Sequence, residues 1–155
     1  MFKNIIDLFT QEETKTQPEP SYSRERVKVA ACVLMLEVAR IDEEFSDDER
    51  DHILKTLRER YSLSDADARE LLEVSTQTRE QSVDIWQFTH QINKLCPVKE
   101  KIEIVEEVWR VVVADGGIHG NESSFMRKLG TLLNLTRHQI VDAKVKILEE
   151  ARGAG

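Results

Sequence analysis

Two stretches decide the fold: ARIDEEFSDDERDHIL at residues 39–54 and VADGGIHGNESSFMRKL at residues 113–129. In the first, Asp42 and Glu49 stand seven residues apart with Phe45 between them; in the second, Asp115 and Glu122 keep that spacing around Ile118. All three positions recur at a shift of 73 residues. An apolar-periodic helix precedes each stretch, another helix follows, and a capping box opens a third. The spacing therefore predicts a helix–turn–helix unit used twice, an internal two-fold repeat in an all-α domain. Asp and Glu at a fixed separation around a turn are also what a duplicated cation site requires.

Outward from these stretches the chain reads as helices with legible ends. Val27, Ala30, Ala31, Leu34 and Val38 form a stripe at helical spacing over residues 23–40, widened by Val33 and Leu36. Ser46 and Glu49 make the Ser-x-x-Glu capping box of a helix running to about Arg60. Ser64 and Asp67 open one to about Gln77, and Thr136 and Gln139 open one to about Glu150. Ile85, Phe88, Ile92 and Leu95 stripe a further helix, and Pro97 suits the first position of the next, which ends at Ala114. The expectation is a bundle of about seven helices over residues 23–150, with residues 151–155 as a disordered tail. Phe2, Ile5, Ile6 and Phe9 share one face of a short N-terminal helix, joined by a flexible linker that completes residues 1–22.

Composition supports the class and narrows the partners. The 155 residues include only six glycines and three prolines, which favours helices. A formal charge of −7 argues against a nucleic-acid backbone as partner and leaves cations and basic protein surfaces. No apolar run approaches the roughly 20 residues that span a bilayer, so no stable membrane insertion is expected. Cys32 and Cys96 lack metal or redox spacing and read as buried thiols in a reducing cytoplasm. Trp86 and Trp109 fall on helical stripes and read as core; His52 and His138 read as solvated or locally bonded groups near helix starts. No phosphate loop or nucleophile motif accompanies the histidines, so no catalytic residue and no enzyme are expected.

The acidic turns divide by position. Asp47, Asp48 and Glu49 lie in the first turn of a helix, where the dipole favours carboxylates by roughly 0.3–1 kcal/mol each. Asp42, Glu43, Glu44 and Asp115 follow helix C-termini, where the dipole opposes them. Seven acids between Asp42 and Asp51 also repel one another. A hard divalent cation would relieve both effects through oxygen ligands. Asp42, Glu49, Asp115 and Glu122 are the candidate ligands, with Glu44, Asp48, His119 and Asn121 as additional ones. Ca²⁺, Mg²⁺ or Mn²⁺ suits this set; His119 admits Zn²⁺ less well. The separation of seven is too short for an EF-hand loop, whose closing Glu stands eleven positions after its first Asp. The competing reading is architectural: Asp115-Gly116-Gly117 is a good helix stop, and Phe45 and Ile118 pack where turn meets core.

The pattern Ala-Asp-Gly-Gly-Ile-x-x-x-Glu at 114–122, preceded by a Trp- and Val-rich helix, resembles the TerB family of tellurite-resistance proteins and the related N-terminal domain of some DnaJ-like co-chaperones. The earlier Arg-Ile-Asp-Glu-Glu-Phe-Ser-x-x-Glu is similar but carries Glu43 and Glu44 where Gly is usual. The resemblance covers about residues 23–150 and, with its N-terminal segment, is nearer an uncharacterised branch. It implies an all-α domain of about seven helices, a divalent-metal role for Asp42, Glu49, Asp115 and Glu122, and a place in bacterial stress or tellurite-linked systems. Tellurite itself, an oxyanion, suits carboxylate turns poorly. Protein partners are expected, a second copy of the chain among them. The alternative is a metal-independent interaction module that docks a basic partner on the same acids.

Overall fold

The computed structural model describes residues 20–41, 47–81, 84–114 and 120–153. They form seven helices: α1 (Pro20–Ala39), α2 (Asp47–Tyr61), α3 (Asp65–Gln81), α4 (Trp86–Leu95), α5 (Val98–Ala114), α6 (Gly120–Leu132) and α7 (Arg137–Gly153). No strand occurs among the described residues, and the fold is all-α as its periodicity implied. None of the described helices is long and apolar enough to cross a membrane. The N-terminal helix expected over residues 2–9 lies outside the described residues. Four boundaries differ from expectation: α1 begins at Pro20, inside the segment read as linker, α3 runs to Gln81, past the end expected near Gln77, α5 begins at Val98, one residue after Pro97, and α7 runs to Gly153, into the segment read as tail.

Burial begins with α1. The one-sided stripe expected there is instead apolar all round, because VAACVLML at 29–36 is uninterrupted and each of its residues is at most 1% exposed. Such a helix must be enclosed, and α2, α3, α4 and α5 pack around it. Each fully buried Leu or Met there contributes roughly 1.5–3 kcal/mol. The second central helix, α5, buries Ile104, Val105, Val108, Trp109, Val111 and Val112 and packs on α1 and α7. Trp109 matches its reading as core, and its indole N–H donates to the Ile140 carbonyl at 3.2 Å. Trp86 does not: it is 51% exposed and stacks on His90, with ring centroids 4.6 Å apart. The inward face of α4 belongs to Phe88 and Ile92, which puts position 86 on the outside.

The turns into α3 and α7 share one construction. Ser62 (φ 53°) and Asn134 (φ 58°) take the left-handed conformation after the preceding helix. The next residue closes a Schellman bond, Leu63 N–H to the Arg58 carbonyl at 3.1 Å and Leu135 N–H to Gly130 at 2.9 Å. One residue later the predicted caps appear. Asp67 N–H donates to Ser64 Oγ at 3.1 Å. Thr136 and Gln139 form the full reciprocal box, at 2.8 and 3.1 Å.

Two stability measurements test this packing. Non-glycine residues resist the left-handed region, Asn least, so Ser62→Gly is expected to raise stability by about 0.5–1 kcal/mol and Asn134→Gly to be nearly neutral in urea unfolding. A Cβ at Gly130 would meet Ile140 Cγ1 at 2.6 Å. Gly130→Ala is therefore expected to lose about 1–3 kcal/mol by overpacking, more than the roughly 1 kcal/mol of helix propensity it gains. Combined with Ile140→Ala, which removes the clash, it should cost less than the sum of the two single changes.

Candidate functional site

Helices α2 and α6 begin 73 residues apart, at Asp47 and Gly120, and the two candidate glutamates occupy the third residue of each. Both are buried, Glu49 to 6% exposure and Glu122 to 2%. Asp47 and Asp48, in the same first turn as Glu49, are exposed. The helix dipole favours all of these carboxylates. Withdrawing one from water costs several kcal/mol, so the dipole alone does not offset the burial of Glu49 and Glu122. The additional candidate Asp48 lies on the solvent side. Asp42, Glu44, Asp115 and His119 lie outside the described residues, as does the side chain of Asn121. Among the described residues, no group of three or more His, Cys, Asp or Glu is arranged to hold a metal ion.

A second feature adjoins the end of α5. His52 and Arg60 of α2, Glu107, Arg110 and Ala114 of α5, and Glu150 of α7 line a cleft of about 700 Å³. Ala114 is the residue before Asp115, so the cleft reaches the start of the second acidic stretch. Arg110 organises its charges. It holds Glu150 with two bonds, at 2.7 and 2.9 Å, and pairs with Glu107 on its own helix. Arg60 reaches Glu103 at 3.2 Å and Glu107 at 3.9 Å. Burial raises the Glu107 carboxyl above its ordinary range although both arginines pull it down. The Arg110 hydrogen bond holds Glu150 below the usual range. Glu107 and Glu150 are thus engaged in clamping α5 to α2 and α7.

His52, read as a solvated or locally bonded group near a helix start, stands in the second turn of α2 and is half-buried against this cleft rather than solvated. Burial, then the positive charges of Lys55 and Arg110, press its pKa below 6.5. The clamp itself went unread in the sequence. Its one local signal is the i, i+3 spacing of Glu107 and Arg110; the partners on α2 and α7 are distant in the chain. Cys32 and Cys96 are free, buried thiols, both pushed up to about 12 chiefly by burial.

With this geometry in place, comparison with known proteins decides the family. The model described as "Tellurite resistance protein TerB" matches residues 28–145, most of the chain and both acidic stretches. The chain belongs to the TerB family. A solved structure similar to this TerB domain is PG1108 from Porphyromonas gingivalis W83, a protein of unknown function. It agrees with a TM-score of 0.62 at 14% identity, over 88% of this chain and 96% of that one. At that identity the likeness concerns the fold alone. None of the curated proteins matches.

The His52 environment sets a pH dependence. A histidine whose folded pKa is depressed favours the neutral form, so its contribution to stability is full above about pH 6.5 and declines as pH falls through that value toward the folded pKa. Urea unfolding of this TerB domain between about pH 7.5 and 5 should show stability falling with acidification. His52→Gln is expected to flatten that slope; an unchanged slope would remove His52 as its source.

Proposed function

We propose that this TerB domain is a non-catalytic, cytoplasmic protein whose two acidic turns bind or sense a divalent cation, Ca²⁺, Mg²⁺ or Mn²⁺, and whose surface recruits protein partners in a bacterial stress or tellurite-linked system. The observation that carries the reading is the matched burial of Glu49 and Glu122 at the third residue of helices that start 73 residues apart. First-turn acids that only serve the dipole stay in solvent, as Asp47 and Asp48 do. A carboxylate drawn inside beside a turn that carries at least one further acid, Asp42, Glu43 and Glu44 in the first stretch and Asp115 in the second, is the start of a donor set for a hard cation. Glu49 with Asp42, and Glu122 with Asp115, would hold the ion. The ion would supply charge neutralisation, and with it a fixed angle between the helices before and after each turn. The two free thiols support a reducing compartment.

Thermal unfolding of metal-stripped protein tests this directly. An ion present at a hundred times its dissociation constant adds about 2.7 kcal/mol. The midpoint is expected to rise with one of the three ions, to rise less in the Asp115→Asn, Glu122→Gln double variant, and not to rise once Asp42→Asn and Glu49→Gln are added to it. No shift at millimolar concentrations of any ion would return the acids to an architectural role.

A further inference from the structure

On the side of α5 that meets α6 and α7 lies a groove of about 430 Å³, floored by Trp109, Met126 and Ile140. Val141, 44% exposed, stands at its edge, and Val145 one turn further along α7 is 46% exposed. Among the described residues the charges around it are Arg127, Arg137 and Lys144, and no carboxylate lines it. In a chain of net charge −7 this is an apolar groove whose described charged neighbours are all cations. Such a surface fits a segment that is apolar along one face and acidic beyond it.

The chain carries such a segment. Phe2, Ile5, Ile6 and Phe9 recur at helical spacing, and residues 7–19 contain four acids, Asp7, Glu12, Glu13 and Glu19, against the single Lys15. The fold also starts near the groove. Arg24 of α1 lies 4.0 Å from Glu100 at the start of α5, and the neighbouring Lys101 donates to the Leu133 carbonyl at 3.1 Å, two residues before Leu135 at the groove's end. From Glu100 to Trp109 the helix rises ~14 Å. Eleven residues from Phe9 to Pro20 reach at most ~40 Å, and as a flexible chain span roughly 17–20 Å.

We propose that this groove is the docking site of the chain's own residues 2–9, held in cis by apolar contact with Trp109 and Val141 and by attraction between the acids of residues 7–19 and the three cations. Tethering at this length supplies an effective concentration in the millimolar range, so modest intrinsic affinity suffices. This inference is independent of the cation reading.

A spin label tests it on the full chain. A nitroxide is placed at Asn4→Cys; Cys32 and Cys96 are buried and do not compete for the label. Amide signals of Met126, Gly130 and Val141 should lose most of their intensity. The Ile6→Asp, Phe9→Asp double change, and separately Val141→Glu on the exposed edge, should each restore it. Intact signals in the labelled protein, broadening elsewhere on the surface, or broadening that vanishes on dilution with unlabelled protein and so arises between copies, would each overturn the proposal.

Discussion

Enclosure of α1 on every side is the constraint on which the other helices depend. A run from Val29 to Leu36 with no polar face cannot lie on a surface, so α2, α3, α4 and α5 are drawn around it. That arrangement places α5 at the centre as well, between α1 and α7. A central helix that also carries charges must satisfy them inside. Lys101 is buried and donates to the Leu133 carbonyl, Glu106 is buried and pairs with Lys146 at 3.0 Å, and Glu107 is buried between Arg60 and Arg110. These bonds tie α5 to the end of α6, to α7 and to α2. Breaking one partner away would strand a buried charge, which is far more costly than losing a surface pair.

The same enclosure defines the functional surfaces. Both central helices lead into acidic stretches, and the helices that follow begin with a buried glutamate at the third position. The proposed function would use this: with α1 and α5 held in the core, neutralising the charge of either acidic stretch would act on the helix that follows it. The cleft beside Ala114, with its arginine-clamped glutamates, and the cation-fringed groove beyond Trp109 flank α5. One helix therefore lines both the cleft that reaches Ala114 and the groove proposed to take the N-terminal segment.

Helix boundaries were legible where a side chain completes a backbone bond locally. Ser64 and Thr136 cap as their spacing implied, and Pro97 misses its assigned position by one, its carbonyl accepting the Lys101 N–H just ahead of α5. The third-residue positions of Glu49 and Glu122 were legible from the 73-residue shift. Their burial was not, because periodicity gives the face of a helix but not the depth of its first turn. Trp86 shows the same limit: its stripe partners Phe88 and Ile92 claim the inward face, so it points outward. His52 and the Glu107–Arg110–Glu150 clamp were missed because their environment is assembled from helices distant in the chain. Long-range ion pairs leave no local pattern.

The central claim is that the two acidic stretches are equivalent cation sites anchored by Glu49 and Glu122. Counting bound ions by equilibrium dialysis, with whichever of Ca²⁺, Mg²⁺ or Mn²⁺ stabilises the fold, tests it most directly. The account predicts two ions per chain, one in Glu49→Gln, one in Glu122→Gln and none when both are changed. Absence of binding in the unaltered chain, or two ions retained by the double variant, would contradict it.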